Sequence, residues 1–133
     1  MEGAKVVARY ANGEVLKGFT NNFSPMKECF HVFPAGNGSG NPVEVSIRDL
    51  KAVFLVRGFE GDSEYHERTR YLPGELPLGR KIEVTFNDGE VLVGSTLNYN
   101  SNRQGFFVYP VDPKSNNIRV FAVSCAVQWV RQL

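Results

Sequence analysis

Two histidines, His31 and His66, and two cysteines, Cys29 and Cys125, are the first residues to weigh for chemistry in this 133-residue chain. Cys29 and His31 lie two positions apart, which puts both on one face of an extended strand. A metal pair is imaginable there, but zinc normally takes four first-shell groups, and two ligands do not make a site. His66 stands among Glu64, Glu67 and Arg68 and reads as solvated surface. No nucleophile elbow, phosphate loop or paired-acid signature occurs. The expectation is a non-enzymatic protein without cofactor or metal.

Binding chemistry is better represented. The segment Tyr99-Asn100-Ser101-Asn102-Arg103-Gln104 offers a stacking ring, a cation and several amides. A second segment, Phe23-Ser24-Pro25-Met26-Lys27-Glu28, keeps a ring and a cation. Tyr99, Asn100, Ser101, Arg103, Phe23, Ser24 and Lys27 are therefore the candidate binding residues, because loops on a rigid scaffold carry recognition. Elsewhere the basic residues are spread out, from Arg48 and Lys51 to Arg119, and the formal net charge is +1. That balance gives no electrostatic argument for nucleic acid or an anionic membrane.

The two segments occupy matching places in a repeat. Residues 5–34 align without a gap on residues 81–110, at a constant offset of 76, with 11 of 30 positions identical. A match of that length signals two copies of one supersecondary unit. His31 then corresponds to Phe107 and Cys29 to Gly105, so His31 reads as filling a ring-sized slot. Glu14 and Glu90 each follow a turn glycine, where a cross-strand pair to a basic neighbour explains them better than catalysis.

Each copy reads as five short strands. Lys5–Tyr10 and Lys81–Phe86 alternate apolar residues with period two. Asn12-Gly13 and Asp88-Gly89 favour a type I′ hairpin turn. Gly18 and Gly94 sit inside the return strands, as a bulge or sharp bend requires. Third strands Cys29–Phe33 and Gly105–Tyr109 end at Pro34 and Pro110. Fourth strands run through Val43, Val45 and Ile47, and through Ile118, Val120 and Ala122. Fifth strands are Lys51–Arg57 and Ala126–Arg131. Residues 58–80 form a charged linker without convincing periodicity. The expected architecture is all-β: two tandem small five-stranded antiparallel barrels, residues 1–57 and 81–133, packed together. A unit of about fifty residues is marginal alone, so shared buried surface is expected.

Two strands break the alternation. Ala52–Val56 is apolar on both faces, and Phe121 and Val123 occupy outward positions of the fourth strand. Either the barrels pack on each other or the chain self-associates; Phe121 and Val123 are the candidate interface residues.

The order strand, Asn/Asp-Gly, strand with inner glycine, loop, strand, loop, two strands resembles the Sm-like and SH3-like small barrels over about 100 residues. Sm-like proteins bind uridine-rich RNA through a loop with Asp and Asn; the corresponding loops here, Asn21-Asn22-Phe23-Ser24 and Asn98-Tyr99-Asn100-Ser101, lack the Asp. The Arg-Gly pair of that family is replaced by Arg48-Asp49 and Ser124-Cys125. FSPMKECFHVFP, DLKAVFLVRGFEG and DPKSNNIRVF are similar to an uncharacterised bacterial domain family often found beside signalling domains, which implies a regulatory or adaptor setting. Arg68, Arg70 and Arg80 before Lys81–Phe86, with the Asn98–Gly105 loop after the next strand, resemble the order of motifs in PilZ domains, though both spacings differ. That resemblance implies a cyclic dinucleotide bound by guanidinium forks.

MEGAKVVARY lacks the apolar core of a signal peptide. The longest wholly apolar run, Ala52–Val56, is far short of the ~20 residues of a spanning helix. Cys29 and Cys125 do not hold equivalent repeat positions, and a disulfide between them is possible but not suggested. A reducing compartment is therefore the better reading, and the Asn-x-Ser triplets at Asn22 and Asn37, without secretory context, carry no weight. The expectation is a cytoplasmic bacterial interaction module with a protein partner or a second copy. A small anionic ligand and Sm-like nucleic-acid binding are the alternatives.

Overall fold

A computed structural model of the chain describes residues 3–36, 40–60 and 64–133. Asn37 lies outside the described residues. Among them, ten strands form: β1 Ala4–Tyr10, β2 Val15–Thr20, β3 Cys29–Pro34, β4 Val43–Ser46, β5 Leu50–Val56, β6 Arg80–Phe86, β7 Val91–Thr96, β8 Gly105–Pro110, β9 Asn117–Val123 and β10 Val127–Gln132. Single 3-10 turns, Ile47–Asp49 and Ser124–Ala126, connect β4 to β5 and β9 to β10.

All pairings are antiparallel, and the strands form one open sheet in the order β10-β6-β7-β8-β9-β5-β1-β2-β3-β4. Two hairpins share one register. Ala4↔Thr20 through Arg9↔Val15 in β1·β2 becomes Arg80↔Thr96 through Thr85↔Val91 in β6·β7, the same offset of 76.

The hairpin turns differ from the expected type I′. Gly13 and Gly89 have φ of 97° and 92°, but no other residue type among the described residues has positive φ. The Gly13 amide donates to Tyr10 O at 3.0 Å and the Tyr10 amide to Glu14 O at 2.8 Å, which is a type I turn followed by a glycine bulge. Asn12 Oδ1 accepts the Glu14 amide at 2.9 Å, and Asp88 Oδ1 accepts the Glu90 amide at 2.9 Å. Those side-chain bonds hold Asn12 and Asp88 on the negative-φ side.

Gly18 and Gly94 allow close approach. A Cβ at Gly18 would collide with Phe33 O and the Val32 side chain, and one at Gly94 with Tyr109 O and Val108. Strand β2 stays on the β1 ladder through Gly18, Phe19 and Thr20, and its other edge pairs there with β3 through Gly18↔Pro34 and Phe19↔Phe33.

Two apolar clusters form. Val6, Ala8, Phe30, Val32, Val45, Ile47, Leu50 and Val53 make one, and Ile82, Val84, Phe86, Phe106, Val108 and Val120 the other. The central β5·β9 ladder, Ala52↔Ala122 to Val56↔Asn117, joins them. Residues of these strands cross over: Phe121 and Val123 enter the first cluster, while Ala52 enters the second. This accounts for strands that are apolar on both faces, and it corrects the expectation for Phe121 and Val123. They are 0% and 1% exposed, so neither offers a surface to another molecule.

The junction is also electrostatic. Lys51 of β5 is buried, bonds Asp88 Oδ2 at 2.7 Å and Glu90 Oε1, and lies 4.9 Å from the Phe86 ring centroid. Burial opposes its charge, but the bonds to Asp88 and Glu90 prevail and raise its pKa. Glu90 thus has the basic partner expected of it, supplied by the other half of the chain.

Candidate functional site

The loops after β2 and β7 are built alike. Ser24 Oγ accepts the Met26 amide at 3.2 Å and Asn100 Oδ1 the Asn102 amide at 2.9 Å. The Lys27 amide then donates to Ser24 O at 3.2 Å, and the Arg103 amide to Asn100 O at 3.1 Å. A side-chain oxygen at the first turn position thus closes both loops without help from distant residues.

These two loops, 76 positions apart in sequence, meet in space. Gln104 Nε2 donates to Pro25 O at 2.7 Å and to Lys27 O at 2.6 Å. Arg103 Nη1 lies 3.3 Å from Met26 Sδ. Between the loops lies a pocket of about 470 Å³ lined by Pro25 and Met26 from one side and Tyr99, Asn100 and Arg103 from the other. Tyr99 packs edge-on against Phe106 with ring centroids 4.8 Å apart and remains 44% exposed. Met26 is 74% exposed.

Of the residues singled out from sequence, Tyr99, Asn100 and Arg103 line this pocket. Ser101 is exposed in the same loop, and Ser24 serves the turn. Lys27 is exposed and contributes its carbonyl. Phe23 is not a presented ring. It turns inward and meets Phe30, Phe107 and Phe121 edge-on at centroid distances of 5.0, 6.4 and 5.4 Å. An aromatic preceding a polar turn can serve core or surface, and local sequence does not separate the two. Met26 and Gln104 had no signal as site residues, because their roles depend on the juxtaposition of the loops.

His31 is held structurally. Its amide donates to Asn22 Oδ1 at 2.9 Å, and Nδ1 lies 3.0 Å from Asn22 Nδ2. Glu44 stands 3.8 Å from its Nε2.

A second concavity, missed from sequence, lies where the connector 64–79 crosses the sheet. The segment shows no periodicity, yet it is tied down. Buried Asp112 accepts from the Tyr65 hydroxyl, from the Arg68 amide at 3.0 Å and from the Lys114 amide at 2.9 Å. The Tyr65 bond, then the two amides, hold the Asp112 carboxyl at about 2, below its ordinary 3.8. Ser115, fully buried, donates to Glu67 Oε1 at 2.8 Å. Arg68 grips Glu75 through two bonds of 3.0 Å, and this pairing lowers the Glu75 carboxyl to about 2. The cleft so framed is about 850 Å³. Arg68 and Arg70 line it, whereas Tyr99, Asn100 and Arg103 line the loop pocket. The two elements of the PilZ-like motif order therefore line different concavities.

A model described as a family of unknown function, DUF6982, matches residues 2–133. The chain belongs to this family. No curated protein and no solved structure matches it. The match spans both halves and the connector of this DUF6982 chain, so the loop pocket and the connector cleft both lie within the family's extent. Among the described residues of the DUF6982 fold, no helix is long and apolar enough to cross a membrane.

Proposed function

We propose that the chain is a non-enzymatic adaptor module that binds a segment of another protein in the loop pocket. The fold behind it is best read as two copies of a five-stranded unit, each curled around its own apolar cluster like a small barrel. Repeated register and paired clusters support that reading.

The observation that carries the functional reading is the convergence of equivalent loops on one exposed surface. Pro25 and Met26 of one loop wall a pocket otherwise lined by residues of the second half, so that Met26, Tyr99 and Arg103 stand around about 470 Å³. Met, Tyr and Arg are the residue types enriched at protein interfaces and among their energetic hot spots. A nucleic acid wants several phosphate contacts, and this pocket is lined by a single cation, Arg103. The setting we read for it is bacterial, as the resemblance of the sequence implies, and cytoplasmic, as its cysteine usage suits.

The test is capture from a nuclease-treated lysate of the source cell with wild-type bait and with Tyr99→Ala/Arg103→Ala bait. Both side chains are exposed, so the variant's melting temperature should match that of the wild type. A partner retained by the wild type and lost from the variant is the expected result. Equal retention by both baits, or capture that disappears on nuclease treatment, removes the protein-docking reading.

A further inference from the structure

We propose that the connector cleft binds an organic anion with a flat apolar body, an aryl carboxylate or sulfonate in its simplest form. The cleft is about 850 Å³, within the size range of small-molecule sites. Its floor is apolar: Val91 and Val93 on one face of β7, with Tyr71 of the connector beside them. The Tyr71 hydroxyl is buried, so the ring rather than the hydroxyl is what the cleft offers.

Charge at the rim is unbalanced once internal pairs are counted. Arg68 is spent on Glu75 and Arg131 on Glu83 at 3.0 Å, while Glu67, whose Oε1 accepts from the neutral Ser115 hydroxyl, keeps its negative charge and offsets one of the remaining cations. Arg70 and Lys81 also line the cleft, and among the described residues neither has an acidic partner within ion-pairing distance. The Lys81 ammonium stands 5.1 Å from the Tyr71 ring centroid, where it would meet the acidic end of a molecule stacked on the apolar floor. A bare phosphate would satisfy the cations and leave that floor wet; a neutral hydrocarbon would leave Arg70 and Lys81 unused. An amphipathic anion answers both.

The probe is 8-anilinonaphthalene-1-sulfonate, titrated by fluorescence against wild type and Arg70→Ala/Lys81→Ala. The expected result is saturable one-to-one binding by the folded wild type, weakened about tenfold or more in the variant at unchanged melting temperature. Uncharged N-phenyl-1-naphthylamine should bind both proteins alike. Amide shifts induced by the sulfonate in the wild type should centre on Tyr71, Val91 and Val93. No saturable binding by the wild type, an undiminished affinity in the variant, or shifts centred elsewhere would overturn the proposal. The mapping on the wild type decides the matter even if the variant is unstable.

Discussion

Asp112 accepts a hydrogen bond from the hydroxyl of Tyr65, 47 positions earlier, and the same carboxylate takes the Arg68 amide at 3.0 Å. One side chain in the β8–β9 loop therefore holds down the connector that spans the two halves. Arg57 strengthens the same node, donating from Nε to Ser115 O at 3.0 Å and from Nη2 to Pro113 O at 3.1 Å.

The node should release in acid. Asp112 and Glu75 ordinarily titrate at 3.8 and 4.5, and both are depressed to about 2 in the fold. A depressed carboxyl adds stability that is complete above its unfolded pKa and is lost as pH falls through the folded one. Connector protection should therefore be full at neutral pH and fade between about pH 4.5 and about pH 2. The reporters are the Arg68 amide, bonded to Asp112, and the Leu72 amide, bonded to Glu75 Oε1 at 2.9 Å. Hydrogen exchange corrected for its intrinsic pH dependence should show both opening before the β5·β9 amides. Asp112→Asn should flatten the acid response at Arg68. Protection at Arg68 that is the same at pH 2.5 and pH 7 would reject this account.

Phe121→Ala should cost about 3–5 kcal/mol, as a ring removed from a packed core does. Phe121 is fully buried and meets Phe23 and Phe107 at centroid distances of 5.4 and 5.2 Å. Its loss opens a cavity in the first cluster although the residue lies on β9, in the second half of the chain. Denaturant melts monitored at both halves should shift together. A variant with wild-type stability and altered self-association would restore Phe121 to the role of an intermolecular contact.

Glycines at two kinds of position should separate cleanly. Gly18→Ala puts a Cβ into the Phe33 carbonyl, in backbone that cannot yield, and should cost roughly 3 kcal/mol or more. Gly13→Ala meets no atom within 4 Å and bears only the strain of φ 97°, about 1–2 kcal/mol. Chemical denaturation of the two variants gives the ranking; the reverse order would mean that β2 is free to move away from β3.

Much of this architecture was legible in the sequence because it is local. Turn glycines, period-two strands and the strand-ending prolines Pro34 and Pro110 reflect short-range sterics, and their repetition marked equivalent positions. The alternation broken at Phe121 and Val123 announced a second buried face, but not which molecule buries it; that depends on β9 pairing with β5, a long-range fact. The connector was opaque for a related reason. Its order comes from Asp112 and Ser115, and no pattern within 58–80 encodes partners in another loop. Tyr99 and Arg103 were readable as surface groups, while Met26 became a site residue only once Gln104 was seen to bind the opposite loop.

The free edges, finally, should tolerate a designed change of assembly. The central junction joins β9 to β5, and the sheet ends are β4 and β10. The 3-10 turns beginning at Ile47 and Ser124 lie 77 positions apart, so β4 corresponds to β9 and β10 to β5. A second copy could therefore set its β4 on β10 and repeat the junction head to tail, as heterologous contacts do. The residues at the edges oppose this. Glu44 and Ser46 stand where the junction has Phe121 and Val123, and Trp129 and Arg131 where it has Ala52 and Phe54. Charged groups on short edge strands prevent sheet-to-sheet growth, because burying Glu44 without a partner is costly. Glu44→Phe/Ser46→Val/Trp129→Ala/Arg131→Phe should convert these edges into copies of the junction. Light scattering at rising concentration should show masses above the 14.9 kDa of one chain for that variant and no such growth for the wild type. A variant that stays folded and monomeric at high concentration would mean that strand equivalence is not enough, and that the Lys51–Glu90 contact beside the central junction is also required.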